Sequence, residues 1–408
     1  GKAGDRLDLS VNVPRFSWNE WEPFWREIDR NRKAHADGYN IPWGTLRVKL
    51  GELLAHRMTI HNIDATLRHF GQNDWHLRLA SDEVSGQAEF LDAGAAPDKW
   101  TFKIDRAHLP EAAGDEIDTA LDTRPSPGTL PSINLTIDDL RVGERRIGKV
   151  EFISRNEIAP SGEGLAIIDR IAVTARGGSL LGQGVWRPES AADEVGTSHL
   201  TLEANFSDLG RLLHDLRIRD VIRNAPGNVK LDLTFRGQPH MPQLNTLSGE
   251  VTAMLGSGQI LQVEPGSGRL LGLLSMQHLM RRLTLDFRDV IGKGFTFDSI
   301  AAGGKLSRGV LSTEKVAVVG SPATILLSGD VDLVAEKLDM EALVLPKFNA
   351  EAPALALTLL NPAVGVGTFV AQWFLKDEIS NLMSSTYHVH GSFQDPVVDK
   401  MPRARTEK

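Results

Sequence analysis

Apolar and polar residues alternate with a period of two through most of this chain, and few folds tolerate that. Leu7-Asp8-Leu9-Ser10-Val11-Asn12-Val13 alternates without a fault, as do Leu46-Arg47-Val48-Lys49-Leu50 and Trp75-His76-Leu77-Arg78-Leu79. The pattern returns in Trp100–Asp105, Ile133–Asp138, Leu200–Phe206, Val229–Arg236, Leu283–Arg288, Val331–Leu333 and Tyr387–His390. Successive strand side chains point to opposite faces, so each segment presents one apolar face and one wet face. One-sided strands of this kind belong to antiparallel sheets with a single face covered. Roughly twenty strands can be read, punctuated by glycines such as Gly177-Gly178 and Gly303-Gly304, with no βαβ alternation. A twisted sheet rarely exceeds about ten strands without curling or splitting. Such a chain either closes into a sandwich, whose stripes form an ordinary core, or curls into a trough whose apolar lining must be filled. The pattern alone leaves both open.

Helical spacing is confined to four places. Trp18, Trp21, Trp25 and Ile28 follow Ser17 as a possible cap, and Leu209, Leu212, Leu213 and Leu216 form a stripe within 208–223. Leu270, Leu271, Leu274 and Leu279 lie within 268–282, and Phe369, Trp373 and Phe374 within 362–385. Residues 352–375 carry no formal charge over about the length of a membrane span. Asn361-Pro362, Gly365, Gly367 and Gln372 interrupt them, so the stretch reads as an apolar strand followed by an amphipathic helix. The first six residues lack the apolar core of a signal peptide, as expected of a mature chain or a piece of a longer one.

Charge and chemistry narrow the function classes. With 45 basic residues against 53 acidic ones and no Lys/Arg block, the chain has no electrostatic footprint for nucleic acid. It has no cysteine, which removes disulfides, thiolate metal sites and cysteine nucleophiles together. Gly266-Ser267-Gly268-Arg269-Leu270-Leu271-Gly272 imitates a dinucleotide loop, but its spacing is GxGxxxG and no βαβ unit surrounds it. His388 and His390 share the wet face of a strand, with no third ligand in sequence. There is no serine elbow, phosphate loop or carboxylate pair. The expectation is a protein that is not an enzyme, with no catalytic, cofactor-binding or metal residues.

One resemblance covers most of the chain, strongly from about residue 200 onward. Val263-Glu264-Pro265-Gly266-Ser267-Gly268-Arg269-Leu270-Leu271-Gly272, then Arg281-Arg282-Leu283-Thr284-Leu285-Asp286-Phe287-Arg288, then Gly294-Phe295-Thr296-Phe297-Asp298-Ser299-Ile300 resemble, in that order, the signature of the YhdP family of AsmA-like envelope proteins. Gly391-Ser392-Phe393-Gln394-Asp395-Pro396 is similar to that family's terminal strand, and Ser207–Leu213 and Gly182–Trp186 to upstream segments. Met280 stands where the family pattern has proline, and Phe393 where it has tryptophan.

The resemblance implies a long, twisted antiparallel sheet curled into an open apolar groove, with a few short helices near the C-terminus. It also implies phospholipid passage between the inner and outer membranes of a Gram-negative envelope. The implied location is the periplasm, with the whole protein anchored in the inner membrane by a segment this chain lacks and its C-terminal end near the outer membrane. A structural or assembly role in the envelope, with an ordinary closed core, is the alternative. The expected organisation is groove-forming repeats over 1–200, with the Trp-rich helix, and an AsmA-like region over 201–408. The groove would be lined by Leu46, Val48, Leu77, Leu79, Phe102, Ile104, Leu135, Ile137, Leu202, Phe206, Leu231, Leu233, Phe235, Leu285, Phe287, Leu333 and Val389. Leu270, Leu271, Leu274, Leu279, Phe369, Trp373 and Phe374 would cap its end or meet a membrane.

Overall fold

A computed structural model describes residues 6–18, 20–21, 43–55, 58–70, 74–91, 98–110, 130–158, 162–190, 193, 195–218, 221–261, 295–321, 323–346, 385–393 and 395–402. Twenty-one strands and one complete α-helix make up nearly all the regular structure there. The chain is thus mainly β, as the alternation requires. Contacts divide it into two compact units, residues 1–175 with 183–196 and residues 176–182 with 197–408.

In the first unit, nine strands form one ladder in sequence order. They are β1 (Leu7–Ser17), β2 (Trp43–Ala55), β3 (Met58–Phe70), β4 (Asp74–Ala80), β5 (Val84–Leu91), β6 (Lys99–Leu109), β7 (Ser132–Val142), β8 (Arg145–Ile158) and β9 (Gly164–Ala175). Six junctions are antiparallel, but β1–β2 and β6–β7 are parallel, so the sheet is mixed. The connections explain the difference. Residues 18–42 and 110–131 exceed the dozen or so that a parallel crossover needs, whereas the β4–β5 link is the tight turn Ser81–Glu83. There Val84 N–H donates to Ser81 Oγ at 2.8 Å.

Residues 183–196, which include the second half of β10 (Gly178–Arg187), complete this unit. Trp186 is buried and its indole N–H donates to Val195 O at 3.0 Å. The Asp193 carboxylate ties the loop by accepting from the N–H groups of Glu189, Val195 and Gly196. Gly196 has φ +72°, and a Cβ there would collide with the Trp186 ring. That position demands glycine.

In the second unit every described pairing is antiparallel. The ladder runs through β11 (Thr197–Phe206), β13 (Gly227–Arg236), β14 (Ser248–Leu255), β16 (Phe295–Ser307), β17 (Val310–Gly320), β18 (Ala323–Asp332), β19 (Lys337–Pro346), β20 (Ser385–Ser392) and β21 (Pro396–Lys400). Two three-residue strands, β12 (Ile222–Asn224) and β15 (Gly258–Ile260), pair with each other at its side. The helix α1 (Leu209–Asp215) is shorter than the stripe over 208–223 suggests. Asp208 caps it by accepting from Arg211 N–H at 2.9 Å, and Arg176 reaches Asp215 at 3.3 Å near its last turn. Leu209 and Leu213 turn inward onto the core.

That core is closed. Phe295, Phe297, Val318, Ile325, Ala342 and Val344 are fully buried, with Tyr387, Val389 and Val398 beside them. Trp18, Glu20 and Trp21 have helical backbone, and the rest of the expected Trp-rich helix lies outside the described residues. So do the expected helices at 268–282 and, but for its last residue, 362–385, together with the GxGxxxG segment and the uncharged stretch 352–375.

Candidate functional site

The alternation becomes a site through register. Residues opposite one another in a ladder point to the same side of the sheet. In the first unit one row therefore runs Leu9, Leu46, Leu67, Leu77, Ala88, Phe102, Leu135, Phe152, Ile171 across all nine strands. A second row runs Val11, Val48, Ala65, Leu79, Gly86, Ile104, Ile137, Val150, Val173. At a strand spacing of about 4.8 Å, each row extends on the order of 40 Å.

This face is apolar but not sealed. Among the two rows only Ala88 is buried, and Leu46, Val48, Leu77, Leu79, Phe102, Ile104, Leu135 and Ile137 are all half-buried. An ordinary core would bury nearly all of them, because protein interiors are close-packed. The second unit shows that contrast within one ladder. Leu202, Phe206, Leu231 and Leu233, on the strands nearest its start, are half-buried, while Phe235 and Val389 are buried. Leu333 packs against the closed core. Leu285, Phe287, Leu270, Leu271, Leu274, Leu279, Phe369, Trp373 and Phe374 lie outside the described residues.

Along the strands the apolar face of the first unit changes character. One row beyond Leu9 and Leu46, the register places His69, Trp75, Phe90, Trp100 and Ile133. Phe90 packs edge-on against both Trp100 and Phe102 with ring centres 5.7 Å apart, and His69 lies 4.4 Å from Trp75. At the opposite strand ends the row past Val13, Leu50 and Ile63 is Arg15, Glu52, His61, which Glu83 joins from the β4–β5 turn. Arg15 approaches Glu52 at 3.9 Å. The Glu83 carboxylate takes both His61 N–H at 2.8 Å and the His61 ring at 2.6 Å. The hydrogen bond to Glu83 holds His61 above the usual histidine value, against some desolvation. Burial pushes Glu83 up, yet the His61 hydrogen bonds leave it below the usual carboxylate value. Alternation could not reveal this gradient, which depends on the relative offset of neighbouring strands.

The other face is wet and laced with ion pairs. Lys49 meets Asp64 at 3.3 Å, Arg170 meets Glu151 at 2.9 Å, and Asp139 holds both His108 and Arg141 at 2.9 Å. His108 and Arg141 lower the Asp139 carboxyl below its usual value. In the second unit His388 and His390 stack 4.6 Å apart on the wet face, hydrogen-bonded to Asp339 and Asp399. Among the described residues no group of three or more His, Asp or Glu is placed to hold a metal ion. None of their helices is long and apolar enough to cross a membrane.

Comparison with known proteins adds three findings. The family described as "YhdP protein" matches residues 2–398. The Escherichia coli (strain K12) protein named intermembrane phospholipid transporter YhdP is 39% identical over 189 residues, 46% of this chain. That match spans 15% of the relative's length, so the chain corresponds to a small part of it. No solved structure matches the chain.

Proposed function

The chain belongs to the YhdP family, and on that premise we propose that it is a segment of a non-enzymatic conduit for phospholipid between the inner and outer membranes. The observation that carries the reading is the unsealed apolar face of the first unit, unbroken over nine strands. Its physical value is large. Burial is worth about 0.8 kcal/mol per methylene, so withdrawing a chain of about 16 carbons into water costs on the order of 12 kcal/mol. An apolar floor that takes up the chain removes most of that barrier, and no nucleophile, base or metal is called for. The name of the Escherichia coli relative, an intermembrane phospholipid transporter, supports the same role.

The lining residues we propose are Leu46, Val48, Leu77, Leu79, Phe102, Ile104, Leu135 and Ile137 in the first unit, and Leu202, Leu231 and Leu233 in the second. The partners are phospholipids and the two membranes, the location is the periplasm, and the anchor lies in the inner membrane. The closed packing of β16 to β21 favours a structural role for that part of the second unit.

Native mass spectrometry of the gently purified chain should show co-purifying phospholipid, and the chain should take up a fluorescent phospholipid from vesicles. Protein that is consistently lipid-free and takes up none refutes the conduit.

A further inference from the structure

The apolar face of the first unit differs at its two edges. One end of the strands carries the charged row Arg15, Glu52, His61, Glu83 on that face. The other end carries the aromatic row of Trp75, Phe90 and Trp100. Of the unit's exposed large apolar residues, Leu7, Leu9, Phe70, Leu91, Trp100 and Ile158 lie toward these strand ends, whereas Trp18 and Trp21 follow β1 at the charged end. Between the edges lie only apolar rows. His69 lies six positions beyond Ile63 on β3, a distance of about 20 Å at strand rise. One leaflet's hydrocarbon is about 15 Å thick, so an acyl chain whose head is held at the charged row rests wholly on the apolar rows with its end directed toward the aromatic rings.

Resting on the conduit reading, we propose that phospholipid lies along the strands of the first unit with one polarity. The headgroup sits at Arg15, Glu52, His61 and Glu83, and the acyl ends point toward Trp75 and Trp100. The charged row also selects the headgroup. It presents Arg15 and His61 to a phosphate, and Glu52 and Glu83 to an ammonium, with Arg15, Glu52 and His61 matched in register and Glu83 reaching His61 from the β4–β5 turn. Signs so mixed complement a zwitterion better than a net anion. The loose 3.9 Å contact of Arg15 with Glu52, both largely exposed, opens to a phosphate at little cost. Tryptophan is suited to the far edge because its ring is both apolar and able to donate a hydrogen bond at a wet boundary.

The test uses the purified full chain loaded with phosphatidylethanolamine brominated either near the acyl terminus or near the ester. The part of the tryptophan emission that combining Trp75→Phe with Trp100→Phe removes should be quenched at least twofold more by terminal bromines than by ester-proximal ones. Equal quenching, or stronger quenching by ester-proximal bromines, overturns the polarity while leaving the conduit standing. A chain that binds neither lipid overturns the conduit itself. For the headgroup, competition between phosphatidylethanolamine and phosphatidylglycerol, read by mass spectrometry, should favour the zwitterion at least threefold. Combining Glu52→Gln with Glu83→Gln should abolish that preference. No preference in the unaltered chain, or one that survives both substitutions, refutes the headgroup assignment. Glu52→Gln alone, at an exposed position, serves if loss of the Glu83 clamp prevents folding, and should then reduce the preference.

Discussion

A carboxylate placed on the apolar face should be tolerated in the first unit and ruinous in the second. Compare Leu135→Asp with Ile325→Asp. Ile325 is fully buried between Val318 and Val344, themselves fully buried. Truncating it forfeits about 2–5 kcal/mol of packing. An aspartate there escapes charge burial only by staying protonated about three pH units above its ordinary value, which adds roughly 4 kcal/mol at neutral pH. Together these reach about 6–9 kcal/mol, comparable with the 5–15 kcal/mol that holds a typical domain together. Leu135 is half-buried, opposite Phe102 and Phe152. Its replacement loses roughly half of a leucine's burial, about 1 kcal/mol, and the carboxylate keeps its water. Urea denaturation followed by circular dichroism should therefore give a folded Leu135→Asp chain with a slightly lowered midpoint and no native baseline for the second unit of Ile325→Asp. Leu135→Asp should also lose phospholipid uptake. If Leu135→Asp unfolds the first unit as completely as Ile325→Asp does the second, the face is sealed and the reasoning fails.

Three further outcomes follow from local chemistry. The raised His61 value means that its bond to Glu83 contributes fully below the unfolded histidine value and fades as pH rises through the folded one. The lowered Glu83 value means that its contribution is present above the unfolded carboxylate value and fades as pH falls through the folded one. The stability gap between the native chain and His61→Asn should thus be widest near pH 6 and shrink toward pH 8, and an unchanging gap would refute the clamp. Gly196→Ala should cost about 2–4 kcal/mol in the first unit, because a left-handed alanine collides with buried Trp186; a thermal melt unchanged by the substitution contradicts this. Asp208→Ala should cost about 1 kcal/mol in the second unit by removing the cap on α1, and amide exchange at Arg211 should rise.

Much of the candidate site was legible because alternation is a local property. Each strand, read alone, sorts Leu77 and Leu79 from His76 and Arg78, and Phe102 and Ile104 from Lys103. Several features were not legible, since they arise between strands. Period two is the same in parallel and antiparallel pairs, so the parallel junctions at β1–β2 and β6–β7 left no trace in it. Phe235 and Leu233 alternate alike, yet one is buried and the other half-buried. The helix α1 stops at Asp215 although its leucine stripe continues to Leu216.

The amino-acid order by itself determined that the chain forms strands, which side of each is apolar, and to which family it belongs. Only the folded arrangement decided where that apolar side stays open and where it closes, because closure depends on what packs above a strand. It likewise decided that the row of Trp75, Phe90 and Trp100 lies at one edge of the first unit's apolar face and the row of Arg15, Glu52 and His61 at the other. That ordering follows from the register between neighbours, which a single strand does not contain.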